Sequence, residues 1–75
     1  MKHLIEFIAM HLVDHPDKVT VQEVTGPRAN LYRLRVDPQD IGRIIGKRGS
    51  VVNAIRTVVR VAAENKGVRA ILEVD

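Results

Sequence analysis

The sequence predicts a small α+β domain with the element order α-β-β-α-α-β, in which a three-stranded mixed sheet is packed on one side by three helices. Apolar residues recur at helical spacing in residues 2–14 and again after residue 49. Between these stretches, two short segments alternate apolar and polar residues around a Gly-Pro turn. The chain has 75 residues and no cysteine, so we expect one domain over residues 1–75 without a disulfide.

The first half of the chain predicts a helix followed by a β-hairpin. The helix spans residues 2–14 and is expected to end before Pro16, because proline disfavours the α conformation of the preceding residue. The strands span residues 19–24 and 31–36, and the turn between them spans residues 25–30. Alternation in the second strand predicts a core face of Tyr32, Leu34 and Val36 and a solvent face of Arg33 and Arg35.

A short helix is predicted directly after the hairpin. Asp37 is a typical N-cap and Pro38 a typical first helical residue. Asp40 falls in the first turn. Because Gly46 follows within three turns, we expect this helix to end in a glycine-containing loop.

A longer helix and a final strand complete the chain. The helix runs from about residue 49 to residue 66 and is expected to stop at Gly67. The last strand spans residues 68–74. Because two helices separate the second and third strands, these strands are expected to be parallel neighbours. The predicted core stripe of the long helix consists of Val51, Val52, Ile55, Val58, Val59 and Ala62, and that of the strand of Ala70, Leu72 and Val74.

A glycine-bracketed pair of cations is the most informative feature for function. Gly46 and Gly49 enclose Lys47 and Arg48 between the two predicted helices. Glycine has no Cβ and adopts a positive φ easily, so a ligand can approach the backbone closely. Residues 41–63 contain five basic side chains and no acidic one, and the next helix N-terminus adds a positive dipole end. These features predict an anionic target such as a phosphate backbone.

The loop carries a sequence signature. It reads Ile44-Ile45-Gly46-Lys47-Arg48-Gly49-Ser50-Val51-Val52 and resembles the I-I-G-x-x-G-x-x-I motif of KH domains, with Val52 where isoleucine is usual. The predicted element order resembles the type II, bacterial form of that fold. The KH core then covers about residues 29–75, preceded by a helix and strand in residues 2–24. A stand-alone chain of this length is similar to the KhpA family of small bacterial RNA-binding proteins.

The resemblance implies which residues bind nucleic acid. In KH domains the G-x-x-G loop clamps about four nucleotides of a single strand. Lys47 and Arg48 are expected to contact phosphates while Arg43 flanks the groove. The bases are expected to rest on an apolar floor. The complete expected RNA-binding set is Arg43, Ile44, Ile45, Gly46, Lys47, Arg48, Gly49 and Val52, of which Ile44, Ile45 and Val52 form the floor.

The resemblance also implies partners and a cellular role. It implies a cytoplasmic RNA chaperone or post-transcriptional regulator that acts with a larger KH-containing protein of the KhpB (Jag) type in cell-wall homeostasis and cell length. One groove reads only about four nucleotides, so we expect a second binding site from another chain and a homodimer in isolation. Ala54 and Val61 lie side by side on a helical wheel outside the core stripe. They are the candidate interface residues.

The same loop bears on two alternative functions, which are protein assembly and binding of single-stranded DNA. A KH fold that serves only for protein assembly usually lacks a glycine or cation of the motif, and this chain keeps them all. Single-stranded DNA stays open as a target because no residue selects a 2′-hydroxyl. Arg33, Arg35, Arg56 and Arg60 lie outside the motif and are interpreted mainly as solvated side chains.

The residues do not indicate an enzyme, a cofactor or a membrane protein. The loop lacks the glycine frame and the Ser/Thr of an NTPase phosphate-binding loop, and no paired carboxylates or nucleophile–base pair is evident. His11 and His15 are four residues apart, but no carboxylate cluster accompanies them, so we expect solvated histidines and no metal. No apolar run is long enough to span a bilayer.

Overall fold

The computed structural model describes residues 1–75 and confirms the predicted element order. The regular elements are α1 (Lys2–Leu12), β1 (Thr20–Thr25), β2 (Asn30–Arg35), α2 (Ile41–Ile45), α3 (Ser50–Asn65) and β3 (Ala70–Val74). Three single 3₁₀ turns occur at Pro16–Lys18, Pro38–Asp40 and Lys47–Gly49.

The three strands form one mixed sheet in the order β1-β2-β3. β1 and β2 are antiparallel, with Thr20 opposite Arg35. β2 and β3 are parallel, with Asn30 opposite Ala70, which confirms the prediction from the two-helix crossover. Since β3 is the last strand of the sheet, its outer edge has no β partner.

The hydrophobic core lies between the helices and one face of the sheet. The predicted core face of β2 is confirmed, because Tyr32 and Leu34 are buried, as is the adjoining Val36. The buried Tyr32 hydroxyl donates to Glu23 Oε2 at 2.7 Å, which satisfies its hydrogen-bonding need. Full burial of one aliphatic core side chain, such as that of Leu34, contributes about 1.5–3 kcal/mol to the stability of the fold relative to leaving it exposed. The core cluster consists of Ile5, Ala9, Val21, Tyr32, Leu34, Val36, Ile44, Ile55, Val59 and Leu72.

The first helix ends two residues earlier than predicted. Val13 is already extended, with φ −101° and ψ 160°. The backbone N–H groups of Asp14 and His15 donate to the carboxylate of Asp40 at 3.2 and 3.0 Å. Such long-range bonds compete with continued helix, and the local pattern of apolar residues gives no sign of them.

The two acidic residues that lead into α2 lie where they were predicted. Asp37 accepts a hydrogen bond from the Gln39 N–H at 2.8 Å and so caps the 3₁₀ turn before α2. Asp40 lies in that first turn, and it is also buried, where it is the carboxylate that binds the end of α1.

The core stripe of α3 is rotated relative to the prediction. Val58, predicted to be buried, is 46% exposed. At about 100° per residue, Val58 lies roughly 100° from the centre of the stripe. Val51 and Ala62, the predicted members next to Val58 on the wheel, are only half-buried. The buried residues of α3 are Val52, Ile55, Val59 and Ala63.

Helix α3 stops at Gly67 as predicted. Gly67 has φ +70° and its N–H donates to the Glu64 carbonyl, while the Val68 N–H donates to the Ala63 carbonyl. This pair of bonds is the Schellman motif. Because the turn uses residues 67–69, β3 begins at Ala70 rather than at residue 68. None of the helices combines the length and apolar character that crossing a membrane requires.

Candidate nucleic-acid interface

Gly46 lies in a backbone conformation that other residues hardly reach. Its φ is +74° and its ψ is 175°, a region that is essentially restricted to glycine. A Cβ at this position would lie 2.4 Å from Val51 Cγ2 and 2.7 Å from the Val51 nitrogen. The turn from α2 into α3 therefore packs directly on the first turn of α3, and only glycine fits.

Arg48 and Gly49 both adopt the left-handed conformation. Arg48 has φ 56° and ψ 29°, and it is the only non-glycine residue with a positive φ. Holding a non-glycine residue there costs about 1–2 kcal/mol, and such strain is typical of functional sites. The Gly49 N–H donates to the Gly46 carbonyl at 3.2 Å, which closes the loop. A Cβ on Gly49 would have only Asn53 Nδ2, at 3.5 Å, as a near neighbour, so this side of the loop is open.

The cations of the loop point into solvent without carboxylate partners. Lys47 and Arg48 are exposed, and neither takes part in any of the six ion pairs. Arg43 differs, because its Nη2 lies 3.1 Å from Asp14 Oδ2. Both members of that pair are more than half exposed, so their attraction is worth at most about 1 kcal/mol. Lys47 and Arg48 are thus the uncompensated charges of the loop.

The expected apolar floor is corrected by the structure. Ile44 has no accessible surface and Val52 is 4% exposed, so neither side chain presents a surface on which a base could rest. Both side chains anchor the helices on either side of the loop in the core. Of the three predicted floor residues, only Ile45 is partly accessible. The apolar residues beside the glycines were misinterpreted as a ligand surface. They are apolar because they pack in the core.

A groove that the sequence did not predict extends from the loop. It has a volume of about 720 Å³ and lies between α3 and the outer edge of β3. Asn53, whose side chain approaches Gly49, stands at the loop end of the groove. The helix wall also carries Arg56 and Arg60, which were interpreted as solvated side chains. A helical wheel places them beside the core stripe but cannot tell that a strand edge faces them.

The chemistry of this groove suits single-stranded bases. Arg56 Nε donates to the Leu72 carbonyl at 3.4 Å, so its guanidinium spans the groove to the strand edge. Arg60 lies 3.9 Å from Glu64, a loose and exposed contact. Ile71 is 44% exposed and adds apolar surface. Unpaired bases stack on arginine planes and hydrogen-bond through their edges, and the groove provides guanidinium groups and an unpaired strand edge for both.

A buried carboxylate connects α1 to the helix that precedes the loop. Asp40 Oδ2 lies 2.9 Å from His15 Nδ1, in addition to its two backbone bonds. The hydrogen bond to Asp40 raises the pKa of His15 despite partial desolvation. Burial works to raise the pKa of Asp40, but the hydrogen bonds from His15 and Asp14 outweigh it and leave that pKa below its usual value. His15 was expected to be solvated; its side chain is 42% exposed, and the pairing of its Nδ1 with Asp40 was not predicted.

Comparison with known proteins places the chain among relatives of similar length. Residues 2–74 match the family described as KhpA/KhpB, KH domain. The chain is 47% identical to the RNA-binding protein KhpA of Clostridium acetobutylicum and 45% identical to that of Clostridium perfringens, in each case over 99% of both chains. It is 39% identical to the RNA-binding protein KhpA of Aquifex aeolicus, over 99% of this chain and 94% of the relative. No solved structure matches the sequence.

Proposed function

Because the chain belongs to the KhpA/KhpB family of KH domains, we propose that it binds single-stranded RNA through the Gly46–Gly49 loop and the groove between α3 and β3. The observation that carries this proposal is the glycine-dependent turn that presents Lys47 and Arg48 without carboxylate partners at the mouth of the groove. The names of the relatives, which are RNA-binding proteins, support RNA as the ligand.

The loop holds the phosphates. Gly46 allows the tight turn onto α3, Gly49 leaves the backbone accessible on its open side, and the two cations between them neutralise phosphate charge. No side chain caps the first turn of α3, where Gly49 is the N-cap, so the N–H groups of that turn face the same region with the positive end of the helix dipole. Cations, backbone and dipole act together on one short stretch of phosphates.

The groove holds the bases. Asn53 at its loop end has both a donor and an acceptor for a base edge. Further along, the planar groups of Arg56 and Arg60 offer stacking surfaces, which this chain needs because it has one Phe, one Tyr and no Trp. Ile45 at the loop and Ile71 on β3 contribute apolar contact. Binding of single-stranded DNA is the competing possibility, since none of these groups distinguishes a 2′-hydroxyl.

An exposed apolar stripe supports self-association. Ala54, Val58 and Val61 follow one another at helical spacing on α3, and all three are exposed, with Val58 at 46% and Val61 at 47%. At about 100° per residue they lie roughly 100° to 160° from Arg60 around the helix. We include in the proposal a homodimer in which the two chains contact each other through this stripe. Isolated exposed valines are common on protein surfaces, but a row of exposed apolar residues on one face of a helix is less common.

The wider cellular role in the proposal follows from family membership alone. It includes a complex with a larger KH-containing protein of the KhpB type, activity as an RNA chaperone or post-transcriptional regulator in the cytoplasm, and a contribution to cell-wall homeostasis and cell length. Co-purification of a tagged chain from cells, followed by sequencing of the crosslinked RNA, tests the partner and identifies the transcripts.

Reversal of the loop charges tests the RNA-binding proposal. Lys47→Asp with Arg48→Asp is expected to abolish binding to a single-stranded RNA oligonucleotide in fluorescence anisotropy, because phosphates then meet negative charge. Both side chains are exposed, so circular dichroism should show an intact fold. Lys2→Asp with Lys18→Asp is the matched control, since it changes the net charge equally outside the loop and groove.

The outcome is decided by comparing the two variants. Loss of binding in the loop variant alone supports the proposal. Equal losses in both would mean that net charge, and not the loop, governs binding. Unchanged affinity in a folded loop variant would remove the loop from the mechanism.

A further inference from the structure

The arginines that lack any partner lie at two places in the molecule. Most arginine side chains contact an acceptor: Arg33, Arg35, Arg43 and Arg60 face carboxylates, and Arg56 faces a carbonyl. The remaining three, Arg28, Arg48 and Arg69, make no ion pair or side-chain hydrogen bond. Arg48 belongs to the glycine loop. Arg28 and Arg69 line one shared cavity elsewhere.

This second cavity is built from two turns. It has a volume of about 370 Å³ and is formed by residues 26–30, between β1 and β2, and residues 67–69, between α3 and β3. The Asn30 N–H donates to the Arg69 carbonyl at 2.9 Å, which joins the two turns. Within the first turn, the Gly26 N–H donates to the Ala29 carbonyl at 3.0 Å. None of the residues that line the cavity is acidic, so the charges of Arg28 and Arg69 are uncompensated there.

The second cavity continues the groove at the end away from the loop. Val68 and Arg69 line both cavities. The glycine loop stands at the N-terminus of α3, whereas residues 67–69 follow its C-terminus. A helix of 16 residues is about 24 Å long. The unpaired guanidinium groups therefore lie at opposite ends of one continuous groove.

We propose that Arg28 and Arg69 form a distal phosphate-binding site for the same RNA strand that the loop holds. This inference rests on the proposed RNA-binding function and extends it. Guanidinium groups match phosphate oxygens in a bidentate geometry, and the glycine loop already takes a phosphate at the other end. A strand that follows the groove from the loop reaches the two arginines only after it has passed the full length of α3. At the rise of about 3.4 Å per nucleotide of a stacked strand, the length of α3 corresponds to about seven nucleotides, more than the roughly four that a KH loop holds alone.

A length series of oligouridylates tests the distal site. Wild-type protein is expected to bind oligonucleotides more tightly as their length increases from about four nucleotides, which the loop holds alone, to more than about seven, at which a stacked strand spans α3. Arg28→Ala with Arg69→Ala should leave the affinity for the shortest oligonucleotides unchanged. For long ones it should weaken binding by about fifteenfold, because each of the two phosphate contacts on a single strand releases about 0.7 counterion, worth roughly a factor of four near 0.15 M salt.

The salt dependence gives a second readout. For long oligonucleotides the slope of log K against log salt should fall by about 1.4 in the double variant, and for the shortest ones it should not change. Lys2→Ala with Lys18→Ala removes the same charge outside both cavities and should leave the length dependence intact. The alanine variants preserve the fold, because both arginines are exposed and the Asn30–Arg69 bond uses a backbone carbonyl; circular dichroism checks this.

The results separate failure of this inference from failure of the RNA-binding proposal. If wild-type protein binds no oligonucleotide of any length, the proposed function itself is wrong. The distal site alone is overturned if the loop variant loses binding but the arginine variant retains wild-type affinity and salt slope for long RNA. It is also overturned if the two arginines bind an acidic protein partner instead of RNA. An equal loss at all lengths also overturns it, because the effect is then not confined to the far end of the strand.

Discussion

Replacement of Gly46 by alanine is expected to destabilise the domain much more than replacement of Gly49, although both glycines belong to one motif. At Gly46 the backbone conformation excludes other residues, at about 1–3 kcal/mol. The added Cβ also meets Val51, including its backbone nitrogen at 2.7 Å, and overpacking of this kind costs about 1–3 kcal/mol more. The expected total for Gly46→Ala is therefore about 2–6 kcal/mol.

Gly49→Ala meets a smaller penalty. The left-handed conformation of Gly49 costs an alanine about 1–2 kcal/mol, and the nearest atom to its Cβ, Asn53 Nδ2 at 3.5 Å, is in ordinary contact. Urea unfolding followed by circular dichroism measures both changes. A domain of this size has roughly 4–11 kcal/mol of stability at typical values per residue, so Gly49→Ala should remain folded while Gly46→Ala loses a large part of its stability.

The urea midpoints of the two variants also show which glycine is the better probe of contact with the RNA backbone. Equal urea midpoints for the two variants would mean that the loop relaxes and that the strained turn at Gly46 is not needed. If the midpoints differ as expected, weaker RNA binding by Gly46→Ala reflects damage to the turn, because the added Cβ points at Val51. Gly49→Ala, in a folded protein, then isolates the approach of the RNA backbone.

Two further predictions concern stability against pH and self-association. The pKa of His15 in the fold is raised above 6.5. The stabilising contact of His15 with Asp40 is therefore fully present below pH 6.5 and is lost as the pH rises through the raised pKa. The urea midpoint should decrease over that pH range, and His15→Ala should abolish the decrease. Asp40, with a pKa below 3.8, keeps its contribution until the solution is more acidic than that. Val61→Asp should shift the dimer towards monomer in light scattering. Val24→Asp is the control, because Val24 on β1 has the same 47% exposure, and it should leave the dimer intact. Dissociation of both variants would argue against the α3 stripe as the interface.

The element order could be predicted because each of its signals is local. The alternation in β2, the proline after α1 and the glycine after α3 all act within a few residues of the position that they specify. The end of α1 could not be predicted, because Asp40 lies 26 residues from Asp14 in sequence and accepts its N–H only in the folded chain. Long-range polar contacts of this kind leave no periodic pattern.

The loop could be predicted and the groove could not, for a related physical reason. Two glycines around two cations specify a backbone turn and a charge by themselves. The groove exists only because the outer edge of β3 lies beside one face of α3, and a helical wheel does not say what packs there. The same limit explains Ile44 and Val52, since an apolar residue beside a binding motif fits a core position and a ligand surface equally well.

Helix α3 brings these results together because it presents three separate faces. One face, which includes Val52, Ile55 and Val59, packs in the core. Arg60 lies on the groove face. The exposed apolar stripe extends from Val58, roughly 160° from Arg60 at about 100° per residue, to Val61, roughly 100° from it. A dimer that contacts through the Val58 side of the stripe leaves both grooves open. The two grooves of such a dimer act at high effective concentration on one RNA that reaches both. Loss of the dimer should then weaken binding to long RNA and leave binding to a single-groove oligonucleotide unchanged.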